Sequence, residues 1–208
     1  MDKLITIALI TLSTSIFAQD QIAKEILDRL STTTKSYENI SIEFDLVLEN
    51  INQNIKGLQQ GALILAGEKF QLTIDNQTII NNGESQWIYL ADMNEVQIIE
   101  HDPEDNIISP NKLFTIYEED YKYTYVGAKS EKGKRLQIIN LFPKESREFI
   151  KINIGVDAAR NQLERITIHD KNGVTYTYLV KSFESNTPIK PFIFNTADFP
   201  GIEVIDLR

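Results

Sequence analysis

The sequence contains no cysteine, and histidine is scarce, with only His101 and His169. The absence of cysteine excludes a disulfide framework, a thiolate nucleophile, a cysteine-type zinc site and lipidation of the chain at an N-terminal cysteine. The fold must therefore be held together by packing alone. A chain of 208 residues is long enough to build the core that this requires.

The chain also lacks an excess of basic residues. It carries 21 Lys and Arg against 30 Asp and Glu, for a formal net charge of −9. Nucleic acid is therefore excluded as a partner, since phosphate backbones bind to basic faces. Tight adsorption to an anionic membrane surface is disfavoured for the same reason. Hydrophobic residues make up 42% and charged residues 25%, which is typical of a globular protein.

One apolar run stands at the start of the sequence. Residues 1–18, MDKLITIALITLSTSIFA, combine Lys3 with an apolar stretch over residues 4–10 and end on Ala18. This pattern predicts a secretory signal peptide cleaved after Ala18, followed by a single domain over residues 19–208 that is exported to the periplasm. A short membrane anchor or a buried N-terminal helix is the alternative, although the run is too short to span a bilayer comfortably.

Hydrophobic periodicity then predicts one helix followed by many strands. Residues 20–35 carry an apolar stripe at helical spacing, with Asp20 as N-cap, formed by Ile22, Ala23, Ile26, Leu27 and Leu30. From residue 38 onward, short segments rich in Ile, Val, Thr, Tyr and Phe predict strands, among them NISIEFDLVLEN, GALILAG, VTYTYLVKSF and PFIFN. Asn82-Gly83, Lys132-Gly133 and Asn172-Gly173 are hairpin-turn pairs, so the strands are expected to form a long antiparallel sheet.

A second amphipathic helix is predicted within the strand-rich region, over residues 108–121. Ser109 and Pro110 form a helix-start pair, and Leu113, Phe114 and Tyr117 then share one face. Each of the two helices has an apolar face that needs a partner. The concave side of a curved sheet is the expected one.

The sequence offers no convincing catalytic or metal-binding constellation. His101 lies in EHDPEDN with Asp102, Glu104 and Asp105, but this segment is better interpreted as an exposed acidic loop, since it contains proline and lacks the glycine of a calcium-binding loop. No nucleophile-elbow motif occurs, although a Ser–His–Asp triad assembled from distant residues stays open. We therefore expect a protein that is not an enzyme and has neither a cofactor nor a metal.

Apolar surface is the remaining candidate for a functional site, as a binding site for an apolar ligand. In NISIEFDLVLEN, residues 39–50, Ile42, Phe44 and Leu46 alternate with polar residues, so they share one strand face. Alternation alone does not distinguish a closed core from a cavity for an apolar ligand. Aromatic residues on other strands, such as Trp87 and Tyr89, are open to the same two interpretations.

The order of several motifs resembles the LolA family, the periplasmic lipoprotein carriers of Gram-negative envelopes. After the predicted signal peptide, helix and first strand come Gly61, Leu63 and Leu65 with Lys69-Phe70, then NNG…WIY over 81–89, SP..LF over 109–114 and Leu141-Phe142-Pro143. The order closes with D-x-NG…Y over 170–178, Phe192 and Phe194, and the ending PGIEVIDLR. No single motif is specific, but together they cover nearly the whole predicted mature chain.

The resemblance implies a mainly β fold, in which one curved antiparallel sheet forms an incomplete barrel covered by an α-helical lid. It also implies a monomeric chaperone that takes lipidated proteins from an inner-membrane ABC transporter, holds their acyl chains in an apolar cavity and hands them to an outer-membrane acceptor. A carrier of free lipids or glycolipids on the same scaffold is the alternative. A structural or signalling module with a solidly packed interior is a third possibility.

By the same resemblance, Phe70 is expected to line the cavity. The other expected cavity residues are Ile42, Phe44, Leu46, Leu63, Leu72, Trp87, Tyr89 and, from the lid, Leu113 and Phe114. Members of the family carry an arginine shortly before this Phe that latches the lid, whereas here Ala66 and Gly67 occupy the corresponding place. Glu68 and Lys69 are the candidates to replace it, although neither has the forked donor geometry of a guanidinium group.

Overall fold

The computed structural model of the chain describes residues 20–50, 52–100 and 121–208. The predicted signal peptide, His101 and residues 108–120 of the predicted second helix, with Leu113 and Phe114, lie outside the described residues. Tyr121, the last residue of that predicted helix, begins a strand.

A single helix and twelve strands make up the regular structure of the described residues. Helix α1 spans residues 20–35, as the apolar stripe predicts. The strands are β1 (Ile40–Asn50), β2 (Ile55–Ala66), β3 (Lys69–Ile74), β4 (Gln77–Asn81), β5 (Ser85–Leu90), β6 (Glu95–Glu100), β7 (Tyr121–Glu131), β8 (Lys134–Pro143), β9 (Phe149–Asp157), β10 (Gln162–Asp170), β11 (Val174–Ser185) and β12 (Glu203–Asp206).

All twelve strands join one sheet, in the order β12-β6-β5-β4-β3-β2-β1-β11-β10-β9-β8-β7. Strands β1 to β6 form one antiparallel meander, and β7 to β11 form another. The two meanders are joined where β1 pairs with β11. The short β12 runs parallel to β6 at one end of the sheet, and β7 is the strand at the other end. The sheet is not closed into a barrel, which confirms the predicted mainly β, incompletely closed architecture.

The predicted hairpin turns are present. Lys132 and Gly133, between β7 and β8, have φ angles of 48° and 79°. Two successive positive φ values are typical of the tight turn that matches the twist of its flanking strands. Gly83 and Gly173 also have positive φ, at 93° and 83°, and they lie in the turns after β4 and β10.

The main core lies between α1 and one side of the sheet, which we call the inner face. The helix contributes Ala23, Ile26, Leu27 and Leu30, all buried, whereas Ile22 is 42% exposed, so the buried stripe begins at Ala23. The sheet contributes fully buried side chains such as Ile139 and Leu141 of β8 and Ile152 of β9. Burying a helical stripe against the apolar face of a sheet is the usual way in which such layers are stabilised.

The segment PFIFN, over residues 191–195, is not a strand as predicted. It is irregular and leads into a short 3-10 turn, Thr196–Asp198, where the Asn195 side chain accepts a hydrogen bond from the backbone amide of Ala197. Alternating aromatic residues indicated a strand, but Phe194 instead stacks on Phe199 with ring centroids 4.7 Å apart. The ending PGIEVIDLR contains β12, Glu203–Asp206. In the described part of the chain, no helix has the length and apolar character needed to cross a membrane.

Candidate functional site

The register of the strands decides which predicted site residues share a face. Residues paired directly across antiparallel strands point to the same side of a sheet. Ile42 pairs with Leu63, Leu63 with Leu72, and Leu65 with Phe70. Phe44 and Leu46 lie on the same side of β1 as Ile42. These residues of β1, β2 and β3 all lie on the inner face.

Most of these inner-face residues are buried in the main core. Their exposed fractions are 5% for Ile42, 6% for Phe44, 5% for Leu46, 6% for Leu63 and 3% for Phe70. They belong to the same cluster of buried side chains as the α1 stripe. Leu72 differs from them, since it is half-buried and packs against the edge of that cluster.

Trp87 and Tyr89 do not join this group, which corrects the prediction that they line the same cavity. Ile88 pairs with Ile79, which pairs with Leu72, so Ile88 is the inner-face residue of this part of β5. Trp87 pairs with Ile80 and Ile98 on the opposite, outer face. The segment SQWIYL carries adjacent apolar residues, so its sequence does not say which of them point inward, and only the pairing of strands settles it.

Tyr89 takes part in a separate outer aromatic cluster with Phe194 and Phe199. Its ring centroid lies 5.3 Å from that of Phe194 and 4.6 Å from that of Phe199. Val96, which pairs with Tyr89 on the same face, is fully buried. The segment that follows β11 therefore packs on the outer face of β5 and β6, and Tyr89 has a structural role there.

The inner face continues beyond the buried core as a band of half-buried apolar residues. We call this band the open apolar surface, and it consists of Leu48, Leu72, Ile74, Ile79, Tyr176 and Tyr178. Burial falls along β1, from 2% exposure at Ile40 to a half-buried Leu48. Sequence reasoning missed Tyr176 and Tyr178, although the alternation in VTYTYLV, residues 174–180, contained the signal that could have found them.

Strand β2 has glycine at its inner-face positions next to Leu48 and Phe44, namely Gly57 and Gly61. A Cβ atom on Gly61 would come within 2.8 Å of the backbone oxygen of Thr73 and would also collide with the ring of Phe44. Phe44 thus lies over Gly61, and its ring meets that of Tyr178 edge-on at a centroid distance of 5.5 Å. Gly57 has only ordinary contact distance to Leu48.

No charge of either sign interrupts this part of the inner face. By register, the inner-face positions of β1 to β5 and of β11 carry no Lys, Arg, His, Asp or Glu. Lys69 pairs with Ala66 on the outer face, and it is exposed. It therefore does not take the inward position expected for a replacement of the family arginine.

Several charged groups of β7, β9 and β10 lie on the outer face. Arg165 contacts Glu131 at 3.0 Å and Asn153 at 3.2 Å. Burial alone would raise the pKa of the Glu131 carboxyl, but the hydrogen bonds and charges of Lys129 and Arg165 outweigh this and hold the pKa below its usual value. Burial and the nearby Lys151 lower the pKa of His169, which pairs with Lys151 across β9 and β10. Among the described residues, no group of three or more His, Asp or Glu side chains could hold a metal ion.

An open sheet whose inner-face positions on β1 to β5 and on β11 carry no charged side chain is suited to binding apolar ligands. The family model described as outer membrane lipoprotein carrier protein LolA matches residues 36–197. This match covers most of the chain, which therefore belongs to the LolA family. No curated protein sequence matches the chain.

Solved structures share the fold at low sequence identity. An uncharacterized conserved protein from Thermus thermophilus is 12% identical, with a TM-score of 0.57 over 88% of this chain and 98% of that chain. A putative outer membrane lipoprotein-sorting protein domain from Vibrio parahaemolyticus is 11% identical, with a TM-score of 0.46 over 87% and 97% of the two chains. LprF from Mycobacterium bovis is 11% identical, with a TM-score of 0.44 over 82% and 97%. The structural similarity to the Thermus thermophilus protein supports the fold alone.

Proposed function

We propose that the protein is a periplasmic carrier that binds the acyl chains of lipoproteins on its inner face and moves them from the inner to the outer membrane. The observation that carries the proposal is the open apolar surface, which extends the inner face beyond the core covered by α1. Membership of the LolA family supports the same function. An inner-membrane ABC transporter would supply the cargo, and an outer-membrane acceptor would receive it.

Physical chemistry explains why acyl chains need such a surface. Each methylene group that leaves water contributes about 0.8 kcal/mol, so an unshielded acyl chain does not cross an aqueous compartment at a useful rate. A half-buried surface also suits a carrier better than a sealed pocket, because the carrier must release its ligand at the outer membrane. The uncharged inner face fits hydrocarbon and excludes strongly hydrated ligands.

Within this proposal, the residues that contact ligand are first those of the open apolar surface. Ile42, Phe44, Leu46, Leu63 and Phe70 form the buried floor beside it, and they would contact acyl chains only if the core opened. Leu113 and Phe114 remain proposed lid residues.

The test is depletion of the protein in its host, followed by fractionation of the two membranes. Accumulation of lipoproteins in the inner membrane is the expected result, with a chain carrying Leu72→Glu failing to restore their sorting and the wild-type chain restoring it. Unchanged sorting after depletion would contradict the carrier function.

A carrier of free lipids or glycolipids is the second candidate. It is favoured by one observation, namely that the inner-face positions of β1 to β5 and of β11 carry no arginine or lysine, whereas the family uses an arginine to latch the lid for lipoprotein cargo. Native mass spectrometry of gently purified protein separates the two functions. Bound small lipids would favour this candidate, whereas bound lipidated protein would favour the lipoprotein carrier.

A further inference from the structure

Two tyrosines place hydroxyl groups within the open apolar surface. Tyr176 and Tyr178 lie on β11, where they pair with Leu48 and Leu46 of β1. On the other side of β11 they pair with Ile168 and Ile166 of β10. Both rings are half-buried among aliphatic side chains, and the ring of Tyr178 also contacts that of Phe44.

The hydroxyl groups of these two tyrosines have no hydrogen bond to any residue that the structure describes. Two other tyrosines that pack against the main core, Tyr125 and Tyr37, do have one. The Tyr125 hydroxyl donates to the Gln137 side-chain oxygen at 2.6 Å, and the Tyr37 hydroxyl accepts from the Gln162 amide at 3.3 Å. Neither hydroxyl oxygen is among the buried polar atoms that lack a partner, so both reach solvent and are accessible to a ligand. The burial of Tyr178 and the nearness of Tyr176 raise the pKa of the Tyr178 hydroxyl, which is therefore a neutral donor at physiological pH.

The surroundings of these hydroxyls select the kind of partner they could take. The inner-face positions of β1 to β5 and of β11 carry no cationic side chain. The free carboxylate of a fatty acid would therefore be desolvated there without a counter-charge. An ester carbonyl is uncharged and accepts a hydrogen bond, and it is joined directly to the acyl chains that an apolar surface binds.

We propose that the hydroxyls of Tyr176 and Tyr178 donate hydrogen bonds to the ester carbonyls of a diacylglyceryl group whose chains lie on the open apolar surface. This inference rests on the proposed binding of acyl chains and adds to it the part of the ligand that is recognised. The two tyrosines then fix the depth at which the chains sit, since hydrocarbon alone gives no such register.

The experiment compares an ester ligand with its ether analogue. Dipalmitoylglycerol has the two carbonyls, and dihexadecylglycerol has chains of the same length without them. Each would be titrated against the neutral fluorophore phenylnaphthylamine bound to the full chain. We expect the wild-type protein to bind the ester roughly tenfold more tightly than the ether, because each net hydrogen bond contributes a factor of about 2 to 12.

The variants are Tyr176→Phe, Tyr178→Phe and the double substitution, which remove the hydroxyls and keep the rings. The double variant is expected to bind the ester and the ether with equal affinity, near that of the wild type for the ether. Tyr125→Phe is the matched control, because it removes a hydroxyl from the same face that already has an internal partner. Its ester preference should remain that of the wild type.

The outcomes separate this inference from the proposed function. Binding of both ligands with an ester preference that survives in the double variant would overturn the role of the hydroxyls while leaving acyl-chain binding intact. Failure of the wild-type protein to bind either ligand would overturn both the inference and the proposed function.

A phospholipid and a synthetic diacylglyceryl lipopeptide share the same ester group. If the double variant loses affinity for the lipopeptide alone, the recognised carbonyls belong to a lipoprotein. If it loses affinity for the phospholipid alone, they belong to a free lipid. Either result supports the hydroxyl contacts.

Discussion

The two halves of the sheet use their faces in opposite ways. In the half formed by β7 to β11, inner-face residues of β8 and β9 such as Ile139 and Leu141 are fully buried, and the outer face carries polar contacts such as that of Arg165 with Glu131. In the half formed by β2 to β6, inner-face residues such as Leu72 and Ile79 are only half-buried. Here it is the outer face that holds a closed cluster, around Tyr89 and Val96.

This difference indicates that the buried inner-face residues of β8 and β9 contribute mainly to stability. The half-buried inner-face residues of β3 and β4 instead leave an apolar surface available to a ligand. The half that packs on α1 supplies the burial that a chain without disulfides needs. The other half is stabilised from its outer side by the segment that follows β11, so its inner face need not be filled. Substitutions of the same kind in the two regions should therefore have different consequences, and four comparisons test this.

The largest effect is expected for Phe70→Glu. Phe70 is 3% exposed, so the substitution both removes a packed ring and buries a carboxylate, at a cost of roughly 5 kcal/mol, which is enough to unfold a domain of ordinary stability. Leu72→Glu, on the same face and strand, should leave the protein folded and abolish binding of phenylnaphthylamine. Circular dichroism and fluorescence titration measure the two properties. A folded Phe70→Glu protein with impaired ligand binding would instead support the prediction from the sequence that Phe70 lines a roomy cavity.

A smaller difference is expected between Leu141→Ala and Leu72→Ala. Leu141 is fully buried, so its truncation should lower the free energy of unfolding by about 2–5 kcal/mol, whereas Leu72→Ala should lower it by only about 1 kcal/mol. Urea denaturation checks both values. Equal losses at the two positions would mean that the half-buried band is part of a single uniform core.

Gly61→Ala is expected to be destabilising by about 1–3 kcal/mol, because the added methyl group collides with Phe44 and with the backbone of Thr73. Gly57→Ala serves as the control, since its Cβ atom would meet only Leu48 at 3.8 Å. Thermal unfolding of the two variants measures the difference. Gly61→Ala should also reduce affinity for the ligand more than Gly57→Ala does, because displacing Phe44 moves the ring that contacts Tyr178. If the two variants had equal thermal unfolding midpoints, the result would contradict the close approach of the Phe44 ring to Gly61.

The smallest effect on stability is expected at the C-terminal end of β12. Here the Arg208 guanidinium donates hydrogen bonds of 2.7 Å and 2.9 Å to the Asp206 carboxylate oxygens. These hydrogen bonds lower the pKa of the Asp206 carboxyl from 3.8 to about 2. The lowered pKa means that the pair is complete above pH 3.8 and is lost as the pH falls through about 2. Arg208→Gln should return the pKa of Asp206 towards 3.8, as followed by carbon NMR of the carboxyl, with stability at neutral pH almost unchanged. An Asp206 pKa that stays near 2 in this variant would exclude Arg208 as the cause.

Local patterns predict much of this fold and less of the site. Alternation in residues 39–50 gives β1 and its inward residues, and the turn pairs Asn82-Gly83 and Lys132-Gly133 place the hairpins. Where a segment is apolar on both faces, as around Trp87, local sequence does not say which face is inward. The difference between the buried Phe70 and the half-buried Leu72 depends on what the tertiary structure brings over each residue. Periodicity contains no such information.

The pairing of β1 with β11 has a consequence for the order of folding. Every other antiparallel pair in the sheet joins strands that are neighbours in the sequence, whereas this one joins Ile40 to Ser185. Closing so long a loop is entropically costly, and contacts between distant residues slow folding. Each meander can form its hairpins early, but the seam at the middle of the sheet must wait until the chain has reached β11. The apolar face of β1 stays half-assembled for that interval, and refolding is expected to be limited by the closure of this seam.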